Sequence, residues 1–205
     1  MFYKLNTRIL DMIRTATLNY SGLNSLLLNN PQTVDSLNKY SKALAVINKK
    51  RIKTEEDMNH RYELEVSAKV YWSDELGIQI PTSWIVASVA KVSHKVSKIA
   101  KADIRASFFP SDEYVKLKYE GESSIKKKDD IVLNEAYRWL FPTKQGQVKV
   151  MKAFPIFKDW SFSVDVEYDD SILPEEEMYR IAAHGAKYNG FGDFRPTFGR
   201  AILSV

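Results

Sequence analysis

Trp160, Phe162, Val164, Val166 and Tyr168 alternate strictly with Ser161, Ser163, Asp165 and Glu167. Side chains on a strand point alternately to opposite faces, so this run predicts a strand with one buried and one wet face. A sheet built around it needs a layer of helices on one side only. The rest of the chain supplies them. Apolar positions at helical spacing begin at Ser36 (Leu37, Tyr40, Leu44, Ile47) and end in the basic run Lys49-Lys-Arg-Ile-Lys53, which suits the negative end of a helix dipole. Thr54-Glu-Glu-Asp57 approximates a capping box and predicts a second helix over about 55–70, with the alternation at Val66–Val70 leaving a strand open. Gly77-Ile-Gln-Ile-Pro81 reads as extended. After it Thr82 or Ser83 can cap a helix burying Val86, Val89, Val92 or Ser93, Val96 and Ile99.

That third helix carries Lys91, Lys95, Lys98 and Lys101, one per turn: a solvated face, or a phosphate track if another basic surface lies beside it. Asp103–Phe109 and Tyr114–Tyr119 read as strands around Pro110-Ser-Asp-Glu113, and Val148–Phe157 as a strand that turns at Lys158-Asp159 into the alternating one. Near the N-terminus a strand is expected, broken by Asn19-Tyr-Ser-Gly22. Pro174 with three glutamates opens a last helix to about Ala186, because proline and acids suit a first turn. Met178, Ile181 and Ala182 face inward, and Ala201–Val205 forms a terminal strand.

Without its inserted stretches this order is β-α-β-β-α-β, an α+β fold of the ferredoxin-like type with one antiparallel sheet. A single domain over 1–205 is expected, with a helical insertion at about 30–76 and a second insertion at about 120–146. The absence of cysteine excludes disulfides, thiolate zinc sites and cysteine nucleophiles. No 18-residue apolar run or signal-peptide pattern is present, so a soluble, cytoplasmic protein without a membrane partner is expected.

Half of the eight glycines fall between Gly185 and Gly199, within or just before Gly190-Phe-Gly-Asp-Phe-Arg-Pro-Thr-Phe-Gly-Arg200. Glycine permits positive φ and close backbone approach. Two readings stay open: a loop that seats a polyanion, or a tight helix-to-strand connection whose phenylalanines enter the core. Single-strand binding needs a cationic groove and aromatic faces, and the residues that fit are Gly190, Gly192, Phe191, Phe194, Arg195 and Arg200. Lys49, Lys50, Arg51 and Lys53, with Lys126, Lys127 and Lys128, can extend the track. A net charge of +4 permits such a partner without requiring it.

Catalytic material is sparse. His60, His94 and His184 lack metal-ligand spacing, there is no Walker motif, and Asp165, Glu167, Asp169 and Asp170 read as solvent-facing or capping. No metal, cofactor or enzymatic activity is expected.

Two resemblances rest on these motifs. Ile78-Gln-Ile-Pro-Thr-Ser-Trp-Ile85 and Gly190–Arg200 resemble the Ile-Pro helix entry and C-terminal glycine-rich loop of the RAMP superfamily, which forms backbone and processing subunits of CRISPR effectors. Thr82-Ser83 stand where RAMP proteins usually place Gly-Ser. Most of the chain also resembles a family of uncharacterised phage-encoded proteins, through Lys49–Thr54, Ile80-Pro81, Pro155-Ile-Phe-Lys-Asp-Trp160 and the Gly-x-Gly-Asp-x-Arg-Pro-x-x-Gly-Arg ending. These resemblances imply a phage protein of the host cytoplasm that binds single-stranded DNA or RNA and assembles along the strand. Some RAMP relatives are endoribonucleases using a histidine, a role for which His184 is the candidate. The rival from another class is a structural or host-inhibiting protein anchored by Trp72, Trp84 or Trp139.

Overall fold

The computed structural model describes residues 12–204. Its elements are, in order, β1 (Ile13–Gly22), β2 (Leu26–Leu27), α1 (Lys39–Lys49), α2 (Glu55–Lys69), β3 (Trp72–Ser73), β4 (Gly77–Pro81), α3 (Ser83–Val96) and α4 (Lys101–Ser107). Then follow β5 (Phe108–Pro110), β6 (Tyr114–Lys116), α5 (Lys128–Val132), β7 (Arg138–Gln145), β8 (Val148–Phe157), β9 (Ser161–Asp169), α6 (Glu175–His184) and β10 (Ala201–Ser204). They form a mixed α+β protein with antiparallel sheets, divided into two units. The first takes in Met1–Leu26, Gln79–Tyr119 and Lys158–Val205, and the second Leu27–Ile78 and Glu120–Phe157.

The first unit is organised by β9. Its alternation places Phe162, Val164, Val166 and Tyr168 on a buried face, and it pairs antiparallel with β1 on one side and β5 on the other. β10 adds to β1, giving the order β10-β1-β9-β5. Leu18 and Tyr20 of β1 share the buried face, where Ile85, Val89 and Val92 of α3 and Met178 and Ile181 of α6 are also sequestered. The other face is wet: Thr15, Thr17, Asn19 and Ser21 of β1 lie opposite Glu167, Asp165, Ser163 and Ser161 of β9.

Several expectations are corrected. Asn19-Tyr-Ser-Gly22 does not break the first strand; these residues continue β1 and pair with β10. Residues 101–107 are helix α4 rather than strand: Ile104 and Ser107 face inward at helical spacing, and the Ser107 hydroxyl donates to the Asp103 carbonyl at 2.7 Å. β8 and β9 form no hairpin, since β8 pairs with β7 while β9 pairs with β1 and β5. Thr82 is the N-cap residue of α3, but its hydroxyl does not bond the first turn; it donates instead to the carbonyl oxygens of Asp112 and Glu113. The last helix stops at His184 and passes into a π-helical turn, Gly185–Asn189. Residues 66–69 are helical, as the last turn of α2. The expected part of the N-terminal strand before residue 12, and Val205, lie outside the described residues.

The second unit packs α1, α2 and α5 with the β7–β8 hairpin, and β2 lines the edge of β8. The capping box forms as read: Asp57 N–H donates to Thr54 Oγ1, and Thr54 N–H donates to Asp57 Oδ2. The buried side of α2 is charged. Arg61, Glu65 and Lys69 recur every fourth residue and are all buried. Arg61 Nη2 donates to Glu65 Oε1 at 3.0 Å, and Ala153 N–H of β8 donates to Glu65 Oε2 at 2.6 Å. Lys69 Nζ donates to the Ala153 carbonyl and sits 3.6 Å from the Phe154 ring centroid. Both polar groups of one strand residue are therefore bonded by helix side chains, as a neighbouring strand would bond them.

Charges taken out of water need full pairing, and removing one partner of such a set costs about 3–5 kcal/mol. Glu65→Ala leaves Arg61 and the Ala153 N–H without their acceptor. We expect it to lower the unfolding free energy by roughly that amount in urea titrations; a loss under about 1 kcal/mol would show that the network is not fully desolvated.

Candidate nucleic-acid interface

The glycine-rich segment is held in place at three levels. It begins where α6 widens into the π-turn, with Gly190 N–H donating to the Gly185 carbonyl at 2.9 Å. A Cβ at Gly185 would lie 3.2 Å from the Ser88 backbone of α3, so glycine permits this close approach, and Asn189 Nδ2 donates to Ser88 Oγ nearby. The π-turn turns Tyr188 outward, 55% exposed, with its ring 4.4 Å from that of His184. Such one-residue widenings of a helix are frequent at functional sites because they re-aim side chains.

Next comes closure of the loop on itself. Gly190 and Gly199 both have positive φ, and Phe191 N–H donates to the Gly199 carbonyl at 2.8 Å. A Cβ on Gly199 would fall 1.9 Å from the Phe191 carbonyl oxygen, an impossible distance. Asn24 then ties the loop to the chain after β1: its Nδ2 donates to the Thr197 carbonyl and its Oδ1 accepts from Arg200 N–H, each at 2.9 Å. Gly199 N–H donates to the Ser25 carbonyl.

The third level is the Phe191 ring, 1% exposed and surrounded by Tyr20, Phe162 and Trp160 at centroid distances of 5.0, 5.3 and 6.3 Å. Phe191 is therefore corrected from a base-stacking residue to a core residue, because its faces are already packed against aromatic rings. Gly190 is likewise buried, and its visible work is loop closure. Phe194 is half-buried with φ of 53°, and Gly192 has positive φ at the loop's outer side.

What faces solvent is compact in chemistry. Arg195 is exposed. Arg200 is half-buried and its Nε donates to the Lys187 carbonyl at 2.8 Å, which fixes the guanidinium against the π-turn. Lys187 is exposed beside Tyr188, its ammonium 5.6 Å from that ring centroid. Among the described residues no carboxylate forms an ion pair with Lys187, Arg195 or Arg200. Lys187 and Tyr188 were not legible as site residues, since a π-turn leaves no periodic signal; their only clue is a cation-aromatic pair just before a glycine. The wet face of the four-stranded sheet has the opposite character. Asp165 and Glu167 sit there among hydroxyls, with Thr17 Oγ1 donating to Asp165 Oδ1 at 2.6 Å. That face disfavours a polyanion.

The remaining predicted cations belong to the second unit, whereas the loop belongs to the first. Lys49, Arg51 and Lys127 are exposed. Lys50 pairs with Asp57 at 2.5 Å, and that bond, with the Thr54 N–H, holds the Asp57 carboxyl below its usual range. Lys53 Nζ donates to the Lys50 carbonyl, Lys126 Nζ to the Ser123 carbonyl and Lys128 Nζ to the Tyr40 hydroxyl. Four of these seven side chains thus have partners within their own unit.

For the other readings, Trp72, Trp84 and Trp139 are half-buried, and Trp139 stacks on Phe141 at 4.7 Å. His184 meets an aromatic ring, His60 lies 3.7 Å from Glu63, and no group of three metal-ligating side chains occurs among the described residues. No described helix is long and apolar enough to cross a membrane.

The first unit's sheet and helices and the second unit's hairpin and helices define a mixed α+β protein. No family model matches the sequence, and no curated protein matches it. Among solved structures, the chain is similar to Cmr6 from Pyrococcus furiosus, with a TM-score of 0.41 and 10% identity over 96% of this chain and 100% of that one.

Gly199→Ala tests the loop's closure. Both the φ of 73° and the blocked Cβ position oppose any side chain. The expected loss is at least about 2 kcal/mol of stability, read as a lowered thermal midpoint. A melting curve matching wild type would show that the loop closes differently.

Proposed function

We propose that this protein binds single-stranded nucleic acid, DNA or RNA, without cutting it, on the rim formed by the π-turn and the 190–200 loop of the first unit. The observation that carries this reading is Arg200 bonded to Lys187 beside the exposed Tyr188, with the exposed Arg195 on the same loop pinned by glycines and Asn24. Cations without carboxylate partners suit phosphates, a guanidinium can bind them bidentately, and an exposed ring can stack a base. A loop already ordered gives up little conformational entropy on binding.

In this reading the first unit is ferredoxin-like and of RAMP type. The order β10-β1-β9-β5, with α3 and α4 between β1 and β5 and α6 between β9 and β10, supports it. The phage-family resemblance of Gly190–Arg200 belongs to the same proposal, as does assembly of copies along the strand. Lys49, Arg51 and Lys127, exposed on the second unit, are that unit's own candidate phosphate contacts. His184 takes no chemical role in it: its ring packs at a tilt against Tyr188.

Fluorescence anisotropy with labelled single-stranded DNA and RNA should show binding that weakens as salt rises, because neutralised phosphates release counterions. Arg195→Ala with Arg200→Ala should weaken it about tenfold or more, each tenfold being about 1.4 kcal/mol, with melting unchanged. Tyr188→Ala should cost ~1–3 kcal/mol of affinity, and the oligomer should be recovered intact. Unchanged affinity in the folded double variant would reject the site; no binding at low salt would reject the function.

A further inference from the structure

A second cluster lies in the other unit and plays no part in the reading above. Tyr40, in the first turn of α1, reaches between α2 and α5. Its hydroxyl accepts hydrogen bonds from Ser67 Oγ and from Lys128 Nζ, each at 3.0 Å. Lys128 Nζ also lies 5.2 Å from the centre of the Tyr40 ring, and Lys39 Nζ lies 5.0 Å from it on the helix's own side. Tyr40 is only partly buried, so solvent-borne reagents can approach it.

We propose that Tyr40 is a nucleophilic phenol, a covalent acceptor for anionic phosphorus(V) or sulfur(VI) electrophiles, activated by Ser67 and Lys128 with Lys39 beside it. The Ser67 hydroxyl and the Lys128 ammonium both bond this oxygen, and the Lys39 ammonium lies 5.0 Å from the ring centre. Burial opposes ionisation of Tyr40, but the hydrogen bonds from Ser67 and Lys128 and the charges of Lys128 and Lys39 outweigh it and hold the phenol below its ordinary value. Among the described residues no carboxylate contributes to this balance. The phenol proton leaves to solvent. The phenolate oxygen then bonds to the tetrahedral centre while the bond to its leaving group breaks and that group departs with the electron pair. The ammonium groups of Lys39 and Lys128 offset charge on the reagent's non-bridging oxygens. No oxidant or reductant is involved.

The test uses the full chain and two arylsulfonyl fluorides, one carrying a carboxylate and one uncharged, with modified tyrosines located by peptide mass spectrometry. Tyr40 should react ahead of the more exposed Tyr188, and faster with the anionic reagent. Lys128→Met should slow Tyr40 labelling by about tenfold or more, as loss of a charged hydrogen bond implies, whereas Lys128→Arg should keep most of it. Absorbance titration near the tyrosinate band, wild type minus Tyr40→Phe, should show a phenol ionising at lower pH than the rest. Labelling that follows exposure alone, an unchanged rate in folded Lys128→Met, or a difference titration at the ordinary tyrosine position would each overturn the proposal.

Discussion

The Phe191 ring, inserted among Tyr20, Trp160 and Phe162, is the contact on which the first unit's glycine-rich loop depends. A buried aromatic contributes through its area and through edge-to-face packing worth about 0.5–1.5 kcal/mol per pair. Its backbone closes the loop against Gly199 while its side chain joins the core of the sheet. The outward residues therefore inherit their positions from inward ones. Trp160 reinforces the arrangement: its indole N–H donates to the Asn24 carbonyl at 2.7 Å, and a Cβ at Gly22 would lie 2.5 Å from that nitrogen. Asn24, so placed, bonds the loop at Thr197 and Arg200.

The second unit solves a different problem. Its hairpin strand β8 presents a peptide that α2 satisfies with Glu65 and Lys69, and Arg61 pairs with the Glu65 carboxylate. Buried ionic networks of this kind contribute specificity more readily than net stability. Here the geometry fixes which residue of β8 faces which turn of the helix. Tyr40, Ser67 and Lys128 form a smaller network of the same unit, near its surface.

Much of the fold was legible wherever periodicity was strong. The β9 alternation, the Thr54–Asp57 box, the helix after Pro81 and the acidic start of α6 all appear where the residues place them. The failures have physical causes. Residues 103–109 mix β-formers with helix-compatible spacing, and inward packing of Ile104 and Ser107 selects the helix through 107. Short spacing between β8 and β9 suggests a hairpin, yet local sequence cannot say which partner strand a strand will choose. At the site, a phenylalanine flanked by glycines reads equally as an exposed stacking face or a core anchor.

The sequence by itself determined the alternating strand, the helix starts, the cation inventory and the concentration of glycines between 185 and 199, because these depend on residues adjacent along the chain. Tertiary structure alone decided that Phe191 faces inward, that Tyr188 and Lys187 face outward beside Arg200, and that the open face of the sheet is acidic. It also decided that Tyr40 meets Ser67 and Lys128, 27 and 88 residues away. Those outcomes turn on long-range packing and on one π-turn, and the energies that set them arise between segments that the chain order keeps far apart.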